Sequence, residues 1–347
     1  MSTDKRMSTD KRMSTDKLVT AIKNQDVYYV RRLLENGFKP NYYGDIPILE
    51  MAVGYSDDDQ RIVKSLLTYG ANPNVLNGYL SPLMVAKHLW FNKVSRLLIN
   101  YGAVETLIPE KIQNTLEAEG YTQFQTLGYG SQGVVYSAIN KKDRNRYAIK
   151  VYPSIDEDDD DLNSGESGYN IQLILDEIEI LSMIKNNPNN TDHLIRFIDS
   201  FHNDEYYYVV MENLSGIPLN KYKNPDKSCV KKVLEGIIEG LKILHAMNIV
   251  HNDINSNNII LEENCYPVLI DFGSSEIITS GPSKFFHFDQ SYFPPEQNPD
   301  LYQADIYTLG MVMNDWDTSG YYKNIYKLMS NINPNLRPTL NQILSML

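Results

Sequence analysis

The segment IVHNDINSNNIIL, residues 249–261, is polar in its centre and apolar at both ends. It places asparagines two and five residues after Asp253, at Asn255 and Asn258, and it carries little positive charge. A carboxylate and amides at such spacings suit a catalytic loop for phosphate chemistry. They equally suit a polar turn between two apolar segments, so the flanking sequence has to decide between the two interpretations.

Three glycines, Gly128, Gly130 and Gly133, lie in LGYGSQGVVY between two runs of alternating apolar and polar residues. Glycines at this spacing let the backbone approach phosphates closely and present N–H groups to them. A glycine-rich hairpin without function would look the same. A dinucleotide site would need a helix after the glycines, whereas GVVYSAI has the alternation of a strand.

A second candidate group is Lys150, at the end of the strand-like segment RYAIKVY. Its neighbours alternate into a core, so a lysine there is unusual for a surface charge. The acidic run that follows, residues 156–161, is predicted to be a solvated loop because its like charges repel one another, and we do not expect it to bind metal.

The next segment, IQLILDEIEILSMI, has the periodicity of an amphipathic helix. Its common apolar side comprises Leu173, Ile174, Ile178 and Leu181. Glu177 is placed to reach back to Lys150, and Glu179 is the less suitable alternative. A Lys–Glu pair would hold the ammonium where two phosphates can share it.

Further motifs follow along the chain: HNDINSNN at 251–258, DFG at 271–273, YFPPE at 292–296, DIYTLG at 305–310, and Arg337. In this order they resemble the motifs of a eukaryotic-type protein kinase over residues 121–347, with HNDINSNN for H-R-D-x-x-x-x-N and Arg337 as partner of Glu296. The resemblance implies an α+β bilobal fold with a β-rich N-lobe and an α-rich C-lobe. The C-lobe is expected to be shortened, because Gly310 and Arg337 are only 27 positions apart.

The resemblance also assigns roles to residues. Asp253 would accept the proton of the attacking hydroxyl, with Lys150 and Asn258 as the other catalytic residues, and Asn258 and Asp271 would hold Mg2+. ATP would lie against Gly128, Gly130, Gly133, Val135, Ala148, Lys150, Glu177, Met211, Glu212, Leu214 and Ile260, with Met211 as gatekeeper and 212–214 as hinge. A regulatory stack would contain Leu181, Phe197, His251 and Phe272.

Three positions depart from the family pattern. Asn252 replaces the arginine of H-R-D, which predicts that activity does not require a phosphorylated activation loop. Asn255 replaces the lysine that serine/threonine kinases keep two residues after the catalytic aspartate, so turnover could be slow. Asp289 replaces a threonine that also touches this aspartate, which makes the substrate class uncertain.

A different pattern precedes the kinase-like region. VRRLLENGFKPN, VKSLLTYGANPN and VSRLLINYGAVE repeat with Gly at 37, 70 and 102, each after another short apolar segment. Helix, turn, helix, glycine and loop in this order resemble three divergent ankyrin repeats over residues 18–106, an all-α solenoid that would recruit a protein partner or substrate. An unrelated helical bundle is the alternative interpretation.

Composition bounds the remaining segments. The chain has 347 residues and a formal charge of −12, which argues against a nucleic-acid or anionic-membrane surface. Residues 1–17 repeat a hydrophilic unit and are predicted to be disordered. Residues 107–120 are predicted to be a linker that contains Pro109 and the helical-looking segment EKIQNTLEAEG. The two cysteines are too few for a disulfide framework, which predicts a reducing, cytoplasmic compartment. No apolar run has the length of a membrane span, and the sequence predicts nothing about the oligomeric state.

The predicted function is therefore a Mg-ATP-dependent protein kinase, Ser/Thr-directed, with ankyrin repeats as a recruiting module. One alternative is a pseudokinase adaptor, which Asn252, Asn255 and the shortened lobe favour. The other is a kinase for small molecules, against which the PPE motif and Arg337 stand.

Overall fold

The computed structural model describes eleven segments of the chain. These are residues 17–41, 48–76, 81–89, 91–104, 108–130, 133–153, 171–189, 192–278, 292, 294–296 and 300–347. The predicted disordered tail up to residue 16, the acidic run and Asp289 lie outside these residues. The chain divides into two compact units, residues 1–145 and 146–347, whereas the sequence predicts the change of domain at residue 121.

The first unit begins with paired helices. They are α1 (17–23), α2 (Val27–Glu35), α3 (Ile48–Gly54), α4 (Gln60–Thr68), α5 (Pro82–His88) and α6 (Asn92–Asn100). The repeated valine and second leucine of α2, α4 and α6 are buried in every copy, namely Val30, Leu34, Val63, Leu67, Val94 and Leu98. The repeat in the sequence is thus a repeat of helices with equivalent buried faces.

The loops that follow these helices also repeat. Gly37, Gly70 and Gly102 have φ of +89°, +90° and +89°, the left-handed conformation that ends a helix at glycine. Asn41 then donates to the carbonyl of Gly70 at 2.5 Å and accepts from the next loop's backbone at 2.7 Å. Asn74 donates to the carbonyl of Gly102 at 2.9 Å and accepts from Val104 N–H at 2.8 Å. One asparagine side chain, through two hydrogen bonds, therefore joins each copy to the next.

The helical-looking part of the predicted linker forms helix α7 (Glu110–Ala118). Its Ile112 and Leu116 are fully buried, since they are spaced four residues apart on one helical face. The strands β1 (Tyr121–Gly130) and β2 (Gly133–Asn140) follow as an antiparallel hairpin in the same unit.

The second unit begins with the three antiparallel strands β3 (Arg146–Pro153), β4 (Phe197–His202) and β5 (Tyr206–Glu212), in which β5 lies between β3 and β4. Helix α8 (Ile171–Asn186) supplies the predicted amphipathic segment. Of its predicted apolar side, Ile174 and Leu181 are fully buried, whereas Leu173 and Ile178 are only half-buried. Glu177 is buried on this helix as well, which a purely apolar pattern does not explain.

The rest of the second unit is mainly helical. Its helices are α9 (Lys227–Ala246), α10 (Leu301–Trp316), α11 (Lys323–Met329) and α12 (Leu340–Met346), and its short strands are β6 (Ile217–Pro218), β7 (Ile249–Val250), β8 (Ile259–Glu262), β9 (Tyr266–Leu269) and β10 (Glu276–Ile277). Helix α9 is buried along most of one side and packs against β9. The segments between these short strands carry the predicted catalytic residues.

The predicted shortening of the helical lobe is visible between α10 and Arg337. In this part of the described chain only α11 and a single 3-10 turn, Pro334–Leu336, intervene. Asp317 closes the gap, because its buried carboxylate accepts hydrogen bonds from Tyr326 Oη at 3.1 Å and from the backbone of Gly320 at 3.0 Å. One buried carboxylate thus organises the short connection.

The two cysteines pair with each other, which the sequence does not predict. Cys229, in the first turn of α9, forms a disulfide with Cys265, in the turn between β8 and β9, and their Cα atoms are 5.3 Å apart. The chain brings them together because α9 packs directly on this hairpin. The cysteines therefore give no support to a reducing compartment. Within the described residues, no helix combines the length and the apolar composition needed to cross a bilayer.

Candidate active site

Lys150 on β3 lies between two carboxylates. Its Nζ is 3.2 Å from Oε1 of Glu177 on α8 and 2.6 Å from Oδ1 of Asp271, which follows β9. Glu179, the other candidate partner, is exposed. The packing of β3, α8 and the DFG segment therefore brings together three residues that are up to 121 positions apart in the sequence.

Charge balance explains why these groups stay ionised in a buried place. Burial opposes the charge on Lys150, but the carboxylates of Asp271 and Glu177 outweigh it and raise the pKa of Lys150 well above its usual value. Burial also opposes the charge on Asp271, yet the adjacent ammonium holds the pKa of this carboxyl below its ordinary range. Burial raises the pKa of the third group, Glu177, although the ammonium of Lys150 opposes the rise. The site thus joins one ammonium group and two carboxyl groups.

The catalytic loop between β7 and β8 is held by asparagine side chains. Oδ1 of Asp253 accepts from Asn255 Nδ2 at 2.9 Å, and Oδ2 accepts from Asn258 Nδ2 at 2.8 Å. The Asn255 amide oxygen in turn accepts from the backbone N–H groups of Asn257 and Asn258, at 2.9 and 3.2 Å. These bonds fix which end of the Asn255 amide faces the aspartate. Burial raises the pKa of Asp253, although the His251 ring and these amides oppose the rise.

Asp305 at the start of the DIYTLG motif anchors the same loop from helix α10. Its Oδ2 accepts from His251 N–H at 3.0 Å and lies 2.9 Å from His245 Nε2, while its Oδ1 accepts from Asn252 N–H at 3.0 Å. Its side chain is almost fully buried. This carboxylate is therefore the group through which helix α10 holds the loop.

The residues after DFG are tied to the catalytic loop by neutral groups. Asn252 Nδ2 donates to the Ser274 carbonyl at 3.3 Å, and Ser275 Oγ donates to the His251 carbonyl at 3.1 Å. Strand β10 then pairs with β7 in antiparallel register. Asn252 has a φ of 62°, a left-handed conformation that asparagine tolerates better than arginine does. The residue that replaces the family arginine thus makes its own contact to this segment.

The donor set at Asn258 and Asp271 fits a magnesium ion. Asn258 uses its amide nitrogen toward Asp253, and within the described residues its amide oxygen accepts no hydrogen bond. A carboxylate and an amide oxygen are the hard ligands that Mg2+ prefers, and this ion commonly takes its remaining ligands from water and substrate phosphates. Among the residues that the structure describes, no group of three or more His, Cys, Asp or Glu side chains is placed to hold a metal ion by itself.

The predicted nucleotide-binding positions fall in both units. In the first unit, Gly128 and Gly130 end β1 opposite Val135 and Gly133 at the start of β2. A strand follows the glycines, so the dinucleotide-binding arrangement is excluded.

In the second unit, Ala148 on β3 pairs with Met211 on β5, and both are mostly buried. Glu212 ends β5 and accepts a hydrogen bond from Arg196 N–H at 2.8 Å. Leu214 is half-buried in the segment after β5, and Ile260 is half-buried on β8. The second-unit positions therefore lie on β3, α8 and β8, at the end of β5 and in the segment just after it.

Two further predicted contacts are present. The His251 and Phe272 rings have centroids 5.0 Å apart, and Leu181, Phe197 and Phe272 belong to one apolar core. Glu296 accepts two hydrogen bonds from Arg337, both of 2.7 Å, and the arginine side chain is completely buried. The Glu296–Arg337 partnership predicted from the sequence is confirmed.

Sequence reasoning missed one residue that contacts the site. Tyr152, two positions after Lys150 on β3, is buried and donates from its hydroxyl to Glu177 Oε2. The period of two along a strand places it on the same face as Lys150. This period could have indicated Tyr152 from the sequence, but a tyrosine in a buried strand is also typical of a hydrophobic core.

The comparisons with known proteins agree with this geometry. The model of the protein kinase domain family matches residues 121–318, which is more than half of the chain. The chain therefore belongs to the protein kinase domain family, as the order of its motifs predicts. The match begins at the residue where the sequence predicts the domain to start.

The similar proteins include several serine/threonine kinases. Serine/threonine-protein kinase PSK1 of Saccharomyces cerevisiae is 29% identical over 204 residues, which cover 56% of this chain and 15% of the yeast protein. Cyclin-dependent kinase D-1 of Arabidopsis thaliana is 31% identical over 187 residues, which cover 52% of this chain and 43% of that protein. Serine/threonine-protein kinase ppk6 of Schizosaccharomyces pombe is 30% identical over 202 residues, covering 56% of this chain and 26% of that protein. The chain thus spans less than half the length of each of these relatives.

Proposed function

We propose that the chain is an active protein kinase that uses Mg2+ and ATP and transfers the γ-phosphoryl group to serine or threonine hydroxyls of a protein. The observation that carries this proposal is the position of Lys150 between Glu177 and Asp271, at 3.2 and 2.6 Å. An ammonium held in this way is placed to bind phosphates, and the similarity to serine/threonine kinases favours the hydroxyl class.

Each of the chain's own groups has a distinct task in this proposal. Asp253, held by Asn255 and Asn258, orients the attacking hydroxyl and accepts its proton. Lys150 holds the nucleotide phosphates, and Asn258 and Asp271 would hold Mg2+. The bound ion would neutralise charge on the transferring phosphoryl group. Of these tasks, the positioning of Asp253 depends most on neutral hydrogen bonds.

The repeated region of residues 18–106 is proposed to act as an ankyrin-type recruiting module for a protein partner or substrate. The proposal is supported by the repeated helix pairs and by the equivalent contacts of Asn41 and Asn74 with the glycine that ends the next repeat. Stacked repeats of this kind provide extended surfaces for protein binding. The predicted cytoplasmic location stays a prediction, because the disulfide removes the argument from reduced cysteines.

One observation favours a second candidate, a pseudokinase that serves as an adaptor. Asn255 gives Asp253 a hydrogen bond but no positive charge, so the loop lacks the lysine that helps stabilise the transferred phosphoryl in relatives. The adaptor candidate predicts that nucleotide binding, where present, is not followed by transfer.

The two candidates are separated by label transfer from ATP that carries a radioactive γ-phosphate, with Mg2+ present. Acceptors are the protein itself, generic acidic and basic proteins, peptide libraries, and sugars or aminoglycosides, and Asp253→Ala is the control. Transfer to proteins or peptides that Asp253→Ala abolishes supports the kinase. Absence of transfer favours the adaptor, and labelling of small acceptors alone would overturn the protein substrate class.

A further inference from the structure

Tyr152 makes a contact to the Lys150–Glu177 pair that the family motifs do not include. Its side chain is almost fully buried, and its hydroxyl donates to Oε2 of Glu177. Lys150 and Tyr152 are two residues apart on β3 and therefore project from the same face of the strand. Strand β3 thus contributes two different donors to one carboxylate of helix α8.

The two donors divide the carboxylate between them. Lys150 Nζ lies 3.2 Å from Oε1 and 3.5 Å from Oε2 of Glu177, but only 2.6 Å from Asp271 Oδ1. The ammonium is therefore shared and lies nearer to Asp271. The hydroxyl of Tyr152 is the donor that Glu177 does not share with Asp271.

The aromatic ring also contacts the cation. Lys150 Nζ lies over the Tyr152 ring, 4.9 Å from its centroid, a distance at which a ring face attracts an ammonium group. Tyr152 consequently touches both members of the ion pair, one through its hydroxyl and the other through its ring. A phenylalanine would keep the second contact and lose only the first.

The charges around this contact keep the phenol protonated. Burial raises the pKa of Tyr152, and the negative charge of Glu177 raises it further. Burial also raises the pKa of Glu177, while the ammonium and the tyrosine hydrogen bond oppose that rise by favouring the ionised carboxylate. A neutral phenol beside a buried carboxylate is therefore a permanent donor.

We propose that Tyr152 is a positioning residue, whose hydroxyl holds Glu177 toward Lys150 so that the ammonium stays placed for the nucleotide phosphates. This inference rests on the proposed kinase function. Tyr152 does not touch the substrate in this account and acts only through Glu177. Loss of its hydroxyl should therefore change kcat/KM for ATP and leave the KM for the acceptor unchanged.

The test is Tyr152→Phe in the full chain. Loss of a hydrogen bond to a charged group should lower kcat/KM for ATP by about tenfold or more, with the KM for the acceptor unchanged. In a Glu177→Gln background the same substitution should have no further effect on kcat/KM for ATP, because the charged partner is already gone. This non-additivity is a signature that a merely structural tyrosine would not produce.

Tyr326→Phe is the matched control. Tyr326 is also fully buried, and its hydroxyl donates to a buried carboxylate, Asp317, at 3.1 Å. Its removal should lower the thermal unfolding temperature but leave kcat/KM for ATP unchanged. If both variants lose similar stability but only Tyr152→Phe loses kcat/KM for ATP, the loss comes from the position of Glu177 and not from a general loss of folding.

Two results would overturn the inference. One is an unchanged kcat/KM for ATP in Tyr152→Phe, and the other is an equal loss in the wild-type and Glu177→Gln backgrounds. If the wild-type chain transfers no phosphate, the proposed function fails, and the dissociation constant for Mg-ATP replaces kcat/KM as the readout with the same expected pattern. A wild-type chain that neither transfers phosphate nor binds Mg-ATP would overturn both proposals.

Discussion

The Asn255 amide nitrogen lies 2.9 Å from Oδ1 of Asp253, and the Asn255 amide oxygen accepts two backbone N–H groups of the same loop. The side chain is therefore locked in one orientation. In this chain a neutral amide takes the place in sequence of the lysine found in serine/threonine kinases, so it can orient the aspartate but cannot supply charge.

Replacing Asn255 tests how much the orientation of Asp253 contributes to the rate. Asn255→Ala removes the orienting bond, and we expect kcat to fall about tenfold or more with KM for ATP unchanged, because a hydrogen bond to a charged group is lost. Steady-state kinetics with varied ATP would measure the split. Asn257→Ala is the control, since Asn257 is exposed and only its backbone N–H contacts Asn255. Equal losses in both variants would refute the positioning role.

The Asp305 anchor predicts a coupled loss of activity and stability. Asp305→Asn would turn an amide N–H₂ toward at least one backbone donor, because both carboxylate oxygens accept N–H groups of His251 and Asn252. We expect a destabilisation of about 1–3 kcal/mol and a lower kcat. Thermal unfolding and label transfer would test this. Asp315→Asn, an exposed aspartate on the same helix, should change neither, and an unaffected Asp305→Asn enzyme would contradict the anchor.

The Glu296–Arg337 pair predicts a defined pH dependence of stability. Burial alone would raise the pKa of Glu296, but its hydrogen bonds from Arg337 outweigh burial and lower it. A carboxyl with a lowered folded-state pKa contributes stability above its unfolded pKa of about 4.3 and loses it as the pH falls through the folded value.

Glu296→Gln should therefore unfold with a free energy about 3 kcal/mol lower than wild type at pH 7. The gap should persist down to about pH 4.3 and narrow below it, because only the wild type loses an ionised partner of Arg337 on acidification. Urea unfolding of both proteins from pH 7 to 3 would measure the difference. A gap that stays constant to pH 3 would show that the charge of Glu296 is irrelevant.

The disulfide between Cys229 and Cys265 predicts a response to reductant. The bond closes a loop of 36 residues, for which chain entropy gives a stabilisation of about 4 kcal/mol. Wild-type protein should therefore unfold at lower urea concentration after reduction. A Cys229→Ser, Cys265→Ser double variant should unfold at the same urea concentration with and without reductant. Free thiols titrated in the unreduced, unfolded wild type would contradict the bond.

Local sequence patterns predicted most of the fold and much of the site. The glycine-ended helix repeat, the strand alternation around Lys150 and the spacing of Asp253, Asn258 and Asp271 are signals confined to short windows. The Glu296–Arg337 contact joins residues 41 positions apart and follows from the family resemblance, not from a local pattern. Glu177 is better placed than Glu179 on its helix to reach back to Lys150.

What the sequence did not predict depends on packing between distant segments. Cys229 and Cys265 look unrelated in the sequence and meet only because α9 packs on the β8–β9 hairpin. Tyr152 looks like core until α8 brings Glu177 to its hydroxyl. Each miss therefore reflects a tertiary neighbour without a local signature.

The most direct test of the account is Mg2+-dependent transfer of label from γ-phosphate-labelled ATP to protein by Asp271→Asn and wild type in parallel. Unfolding temperatures and circular dichroism first establish that both are folded. The account predicts that Asp271→Asn is folded and that its transfer is lower by at least about a hundredfold, because a ligand for the ion that neutralises the transferring phosphoryl is lost. Transfer at the wild-type rate by folded Asp271→Asn would contradict the assignment of this residue and of the site around it.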